Sequence, residues 1–467
     1  MPQRFLLVLV TSLAALALSG SAHANRTQFT TVEAPAELLN GAPDAGLDQV
    51  EALGAQAIRI QIPWRSVAPA PESRRAPRFD ARDPDAYPPG IWQRFDAAID
   101  GARARGLRVH VTLAGAAPDW ATRRGDGLTS PNATAFGRFA TAAGRRYGTR
   151  VSWWSVWNEP NLGKLLKPIR YNRSALVYRD LYMKAYAGLR GARVRAPILV
   201  GELAPIGNSL REKGTIRPLS FLRSMLCLDR DYRRTKRRCA KLPAQGFAMH
   251  PYSTAAGPFL VPPQDNVTIG VLPRLTRALD RAARAGAIAR RLPIYITEFG
   301  VQSWPDKRIG VSLGVQSDYR SIAERIAFMN PRVRSFSQYL LTDDDSTGWE
   351  YGKFESGLYL FRGHRPKPAR EGFRLPLVVV DRPGGSDRLW GLVRPARGHH
   401  GGVVTVEYRD RGEGWKQLGR SRFTSSGYWS RAITARDGRA FRVRWTAPDG
   451  TRHAGPPAYA RSGPRQR

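Results

Sequence analysis

The chain has 467 residues, with 74 lysines and arginines against 38 aspartates and glutamates, two cysteines, and a net charge of +36. That length exceeds one small domain and suits a barrel of about 250 or more residues with an accessory module of about 100. Two cysteines exclude a disulfide scaffold and a cysteine-rich metal centre. The arginine excess is spread along the chain without an interleaved recognition motif, so nucleic acid is not an expected partner, whereas weak affinity for anionic cell-wall polymers is.

The first 24 residues carry a basic start at Arg4, an apolar run from Phe5 to Leu18 and the small-residue close Ala22-His23-Ala24. The pattern predicts a secretory signal peptide, residues 1–24, cleaved after Ala24. The other reading is an uncleaved anchor, although a spanning helix needs about 20 apolar residues. No later segment is apolar for long enough to span a bilayer, so the mature chain is expected to be secreted or associated with the cell wall.

Phe29 to Ala34 reads as a first strand and Ala45 to Ala55 as a helix. Ala57 to Trp64 then alternates, with three isoleucines on one face and Arg59 and Gln61 on the other. If the isoleucines face covering helices, Arg59 points into a barrel, where a buried guanidinium needs a carboxylate; Glu298 is one candidate and a structural ion pair elsewhere is the other. A long Pro, Arg and Asp-rich loop over 65–90 precedes a helix over Ile91 to Arg105 and a third strand over Leu107 to Leu113. Trp120, in the loop that follows, either stacks on a sugar face or packs.

Asn132 to Tyr147 reads as a helix. The fourth strand is the aromatic and β-branched run from Val151, which reads as ending at Glu159, because Pro160 cannot continue a sheet ladder. Tyr171 to Leu189 has helical spacing, and Pro197 to Glu202 makes a fifth strand. A polar, basic excursion then carries Cys227 and Cys239, which either pair or stay as free thiols; pairing closes a short loop and contributes on the order of 3 kcal/mol.

Gly246 to Tyr252 is the sixth strand, with His250 and Tyr252 at its rim, and a helix over Leu272 to Ala285 follows. Leu292 to Gly300 is the seventh strand and delivers Glu298. A helix over Ser317 to Met329 leads to the eighth strand, Val333 to Leu341. Eight strands alternating with helices predict an α/β fold, a closed (β/α)8 TIM barrel over residues 25–376. Asp343, Asp344 and Asp345 in the next loop read as solvated acids rather than calcium ligands. Residues 377–467 show short alternating strands and glycine-rich turns, which predict a small all-β, Ig-like sandwich. Trp390, Trp415, Trp429 and Trp445 read as its core rather than as a sugar platform.

Two strand-end carboxylates far apart in sequence suit glycosidic bond cleavage, in which one protonates the departing oxygen while the other attacks the anomeric carbon or activates water. Asn158-Glu159-Pro160 at the end of the fourth strand and Thr297-Glu298-Phe299-Gly300 at the end of the seventh resemble glycoside hydrolase clan A over roughly residues 26–375. That clan comprises retaining barrel enzymes and includes families 5 and 39. The resemblance implies that Glu159 is the acid/base, Glu298 the nucleophile and Asn158 the residue bonded to the sugar 2-hydroxyl. It also implies that Arg59 and Tyr252 flank the nucleophile and that His250 and His110 are site histidines. Ser356 to Tyr359 followed by Lys367-Pro368-Ala369 is similar to the close of family 5 barrels. Family 5 usually carries a tryptophan at the end of strand eight; here the run is Gln338-Tyr339-Leu340-Leu341, and either Trp349 or Trp304 is the candidate substitute. The implied activity is retaining hydrolysis of a β-linked polysaccharide or oligosaccharide, with neither metal nor cofactor. The competing classes are a non-catalytic carbohydrate- or cell-wall-binding barrel and a metal-dependent hydrolase using His110, His250 and Asp343, for which no paired-histidine motif is present.

Overall fold

The computed structural model describes residues 28–39, 42–208, 214–235, 239–350, 352–381, 387–395 and 401–460; the signal peptide expected over 1–24 lies outside them. Eight parallel strands close into a barrel in sequence order: β1 (Phe29–Glu33), β2 (Ala57–Pro63), β3 (Arg108–Ala114), β4 (Trp153–Val156), β5 (Ile198–Leu203), β6 (Gly246–Met249), β7 (Ile294–Ile296) and β8 (Val333–Tyr339). The main covering helices are α1 (Pro43–Ala52), α2 (Gln93–Ala104), α3 (Ala133–Tyr147), α4 (Arg173–Gly191), α5 (Pro218–Met225), α6 (Pro273–Arg284), α7 (Leu313–Met329) and α8 (Pro368–Arg374). Short helical turns also form at Pro35–Leu39 and Trp64–Val67.

Strand alternation divides the side chains as a two-residue period requires. Ile58, Ile60 and Ile62 face outward into the helix-covered core, which also holds Val109, Val111 and Trp154. Inside the barrel, Phe29, Ala57, Trp153, Leu199 and Ala248 pack with Tyr295 as an apolar plug near the amino ends of the strands. The next inward layers are polar, and register places Arg59 opposite His110 and His110 opposite Trp153. The plug closes one end, so polar chemistry is confined to the carboxyl ends of the strands.

Three local expectations change. The strand expected to reach Glu159 stops at Val156, because the chain turns through positive φ at Trp157 (63°) and Glu159 (42°). Part of the basic excursion after β5 is the helix α5, opened by Pro218 and buried through Leu219, Phe221 and Leu222. Of the three adjacent aspartates, Asp343 is buried and bonded by Lys367 Nζ at 2.6 Å, and Asp344 accepts the Phe354 N–H at 2.9 Å. Only Asp345 is exposed. Cys227 and Cys239 are joined as a disulfide just beyond α5.

Beyond α8 the regular elements among the described residues are all strands. β9 (Leu377–Val380), β10 (Asp387–Gly391) and β13 (Trp429–Ile433) form one antiparallel sheet. β11 (Gly402–Arg409), β12 (Lys416–Phe423), β14 (Ala440–Thr446), β15 (Arg452–Ala454) and β16 (Ala458–Tyr459) form the other. Trp429 and Trp445 are core between them, and Trp415 is half-buried between the Arg409 and Arg442 guanidiniums at 4.8 and 4.2 Å. Trp390 instead packs against Phe328 of α7, within an apolar cluster shared with Ile322, Val378 and Leu392. At the same junction Arg394 donates to both oxygens of Glu324 on α7 (2.7 Å each) and to Thr30 Oγ1 on β1 (3.1 Å).

Candidate active site

The corner after β4 is fixed by backbone and packing. Trp157 is fully buried, donates its backbone N–H to Leu113 O at 2.7 Å, and packs so closely on Gly115 that a Cβ there would lie 2.4 Å from the indole. Asn161, also fully buried, bonds the Ala204 N–H and the carbonyls of Ala204 and Ile216, which pins this loop to the one after β5. Left-handed backbone at two non-glycine residues costs on the order of 1–3 kcal/mol each and persists only where surroundings impose it. Here it turns Asn158 and Glu159 inward over the barrel mouth.

A second corner does the same at β5. The ladder between β5 and β6 shifts register between Gly201 and Leu203, with φ of 122° at Gly201 and 50° at Glu202. Such a bulge re-aims a side chain. The Gly201 N–H is satisfied by Tyr178 Oη of α4 at 2.8 Å, and Glu202 swings into the centre.

Arg59 is the hub of what results. Its Nη1 donates to Glu298 Oε1 (2.6 Å) and Glu33 Oε2 (2.5 Å), and its Nη2 to Glu202 Oε2 (3.1 Å) and Asn158 Oδ1 (3.0 Å). Glu298 was one of two partners open to Arg59 in the sequence; the guanidinium serves three carboxylates at once. Tyr252 Oη donates to Glu298 Oε2 at 3.1 Å. His250 Nδ1 faces Glu159 Oε1 at 3.2 Å and Glu298 Oε2 at 3.4 Å, while its Nε2 meets Glu202 Oε2 at 2.5 Å. Thr297 Oγ1 donates to that same Glu202 oxygen at 2.9 Å. Gln61 Nε2 completes the set by donating to Glu33 Oε1 at 2.9 Å.

Burial makes these charges interact strongly. Burial alone would discharge His250, but the charge of Glu298 and the bonds to Glu159 and Glu202 outweigh it and push the imidazole up to about 10. Burial raises Glu202 too, yet Arg59 and His250 hold its carboxyl below the usual carboxylate range. Glu33 goes the other way, to about 7, because burial and the nearby Glu298 outweigh Arg59. Burial pushes the Tyr252 phenol well above its ordinary value, with the Glu298 charge adding to it, so it remains a hydrogen-bond donor.

His110 lies deeper. Its Nε2 bonds Ser155 Oγ at 2.9 Å and stands 3.7 Å from Glu202 Oε1, its ring stacks on Trp153, and burial lowers it to about 3, so it is neutral. It supports Glu202 and makes no bond to Glu159 or Glu298 among the described residues. Trp120 packs: Nε1 donates to Pro69 O at 3.1 Å and the ring meets Trp64 edge-on. Trp304 and Trp349 stand exposed on the loops after β7 and β8, which the Lys307 N–H ties together at Gly348 O, 2.9 Å. The aromatic residue at the end of β8 beside the carboxylates is Tyr339. Its ring is edge-on to Tyr252 at 6.3 Å, and burial followed by the charges of Glu298 and Glu33 raises its phenol.

Glu159, His250 and Glu298 offer three potential ligand atoms within 4.8 Å of one another. Both ring nitrogens of His250 already face carboxyl oxygens, Nδ1 those of Glu159 and Glu298 and Nε2 that of Glu202. Asp343, the third member of a His110, His250 and Asp343 set, is occupied by Lys367 and the Gly357 N–H. Glu159 and Glu298 thus stand at the barrel mouth with His250 Nδ1 between them.

Glu33, Glu202, Gln61 and Tyr339 are the members that motif reading passed over. The available signal was an acidic residue near the end of an apolar strand with proline soon after, as in Val32-Glu33-Ala34-Pro35 and Gly201-Glu202-Leu203-Ala204-Pro205.

No protein-family model and no curated protein matches the chain. Solved structures do match its fold. A family 39 glycoside hydrolase from the gut symbiont Bacteroides cellulosilyticus superposes over 88% of this chain and 80% of its own, with a TM-score of 0.52 at 15% identity. A glucosidase from Croceicoccus marinus superposes over 90% of this chain and 95% of its own, with a TM-score of 0.51 at 10% identity. The chain shares the eight-stranded barrel architecture of these glycoside hydrolases.

Proposed function

We propose that the protein is a secreted retaining glycoside hydrolase that cleaves O-glycosidic bonds of a β-linked polysaccharide or oligosaccharide by double displacement. The observation that carries this reading is the pairing of Glu159 and Glu298, whose facing oxygens lie within 4.8 Å of each other and share His250 Nδ1. Carboxyl groups about 5–5.5 Å apart suit a covalent intermediate, whereas inverting enzymes leave room for a water at about 6.5–9.5 Å. Support also comes from the fold shared with a family 39 enzyme and a glucosidase.

In the proposed first step a Glu298 oxygen attacks the anomeric carbon and the glycosidic C–O bond breaks. Glu159 delivers its proton to the departing oxygen. Arg59 and Tyr252, bonded to opposite oxygens of Glu298, orient its carboxylate. In the second step Glu159 takes a proton from water, the water oxygen bonds to the anomeric carbon, and Glu298 leaves. Secretion is inferred from the leader-like residues 1–24 and fits the disulfide between Cys227 and Cys239.

Removing each carboxylate tests the division of roles. Glu298→Ala should stop substrates of every leaving-group ability, and azide should react in the vacancy to give an inverted product. Glu159→Ala should still be glycosylated by an activated aryl glycoside, lose about 10²–10⁴-fold on a natural sugar leaving group, and give a retained azide product. The same leaving-group dependence and the same azide product in both variants would refute the mechanism.

A further inference from the structure

A groove of about 1130 Å³ runs along the outside of the barrel between α5 and α6, beside the residue that precedes α4. Its lining carries six arginines, Arg217, Arg223, Arg230, Arg274, Arg277 and Arg281, and two carboxylates. Both carboxylates are engaged. Asp265 takes a forked pair of bonds from Arg223 (2.8 and 2.6 Å), and Asp229 accepts the backbone N–H groups of Asp231 (2.9 Å) and Arg233 (2.8 Å). Asp265 is held below its ordinary range first by the Arg223 bonds, and the charges of Arg217 and Arg230 lower it further, so one acid answers three arginines.

Arg274 is turned to the Pro262 carbonyl (2.8 Å) and Arg281 lies over the Tyr232 ring (4.3 Å). Arg217, Arg230 and Arg277 remain exposed, and their side chains make no hydrogen bond or ion pair within 4.0 Å among the described residues. Elsewhere on the barrel flank some arginines are met by acids, Arg105 by Asp44 and Asp48, Arg146 by Asp96 and Arg332 by Asp280, whereas Arg94, Arg103 and Arg138 stand exposed on convex helix faces. What sets the groove apart is the ratio within one concavity, where six arginines share two carboxylates.

The groove also has length. Asn172 lines it, while the neighbouring Tyr171, 75% exposed, lines a second depression with Arg123, Arg170 and Arg173. Two basic concavities meeting at consecutive residues suit an extended chain rather than a compact ion. The catalytic centre is the opposite in character: Glu33, Glu159, Glu202 and Glu298 crowd around Arg59 and His250. Anionic substituents on a substrate would be repelled there and need reception elsewhere.

We propose that this groove is an outlying binding site for an anionic polysaccharide, whose substituents engage Arg217, Arg230 and Arg277. It rests on the glycosidase reading only in taking the polymer to be a glycan; binding itself needs no turnover.

Calorimetric titration of the full chain with polygalacturonate, against neutral dextran of matched length, tests it. R217Q/R230Q/R277Q is compared with R94Q/R103Q/R138Q, which removes the same charge from exposed positions on α2 and α3. Polygalacturonate should bind and dextran should not, with affinity falling as salt screens the contacts. The groove variant should bind about tenfold more weakly and the control variant within about twofold of wild type, at matched thermal melts. Sulfated dextran, run alongside, identifies the preferred anion, and groove-dependent binding of either polymer supports the proposal. Equal losses in the two variants would overturn it. So would binding indifferent to salt, or a polynucleotide that competes as well as the glycan. Groove-dependent binding by a chain that hydrolyses no glycoside would support the groove and sink only the glycosidase reading.

Discussion

Glu202→Gln isolates a buried carboxylate that ties Arg59, His250 and Thr297 together. Its side chain is fully buried, and a single oxygen receives Arg59 (3.1 Å), His250 (2.5 Å) and Thr297 (2.9 Å). Removing one partner of a buried ion pair costs about 3–5 kcal/mol; an amide keeps the shape and one acceptor, so about 2–3 kcal/mol is expected. The pH dependence follows from two opposed shifts. His250 is raised from 6.5 to about 10, so the stability drawn from its imidazolium is complete below 6.5 and is lost as pH rises through about 10. Glu202 is depressed, so its contribution is present above its ordinary 4.5 and is lost as pH falls through the lowered value. The gap between wild type and variant should therefore be widest between about pH 4.5 and 6.5 and shrink progressively from there towards 10 and above. Urea unfolding at several pH values inside and above that window measures it. In turnover, kcat should fall with little change in KM, since the variant disturbs His250 rather than a sugar contact. Equal stabilities, or a gap that ignores pH, would refute the account.

Tyr252→Phe removes the phenol bond to Glu298 (3.1 Å); a charge-assisted bond is worth about 1.5–3 kcal/mol, so kcat/KM on an aryl glycoside should drop roughly ten- to hundredfold. Glu324→Gln leaves Arg394 and Arg320, both buried against it, short of a carboxylate. Calorimetry should register a loss of about 3–5 kcal/mol, and an unchanged melt would mean the junction is not stabilised there. Reducing the Cys227–Cys239 bond, which spans 12 residues, should cost about 3 kcal/mol. Lys367→Met strands Asp343 without its buried partner at 2.6 Å and should lower the denaturation midpoint, with Lys367→Arg recovering part of the loss.

The barrel was legible because its strands alternate cleanly and its outward isoleucines and valines have helices to bury them. Strand ends were less legible. A run such as Trp153 to Glu159 continues as β-favouring sequence, yet tertiary contacts bend the backbone at Trp157 into a conformation that no local preference selects. Strand alternation made Glu298 one of two candidate partners for Arg59, but its simultaneous hold on Glu33 and Glu202 depends on register and on the β5 bulge, neither of which is written in residue spacing. Tyr339 was overlooked because a tryptophan was sought; the position at the end of β8, rather than the residue type, carried the information.

A closed barrel has one joint that no covering loop bridges, where the first strand meets the last, and β1 and β8 are hydrogen-bonded neighbours there. Arg394, 364 residues from Thr30, reaches that joint: it grips Thr30 on β1 and Glu324 on the helix that precedes β8. Pro395 lies against Gly54, so the turn after α1 is caught as well. The C-terminal sheets thus act as a hasp over the place from which the barrel would first peel open. Their removal should show as faster unfolding, with β1 fraying ahead of the rest, before it shows in any affinity for sugar.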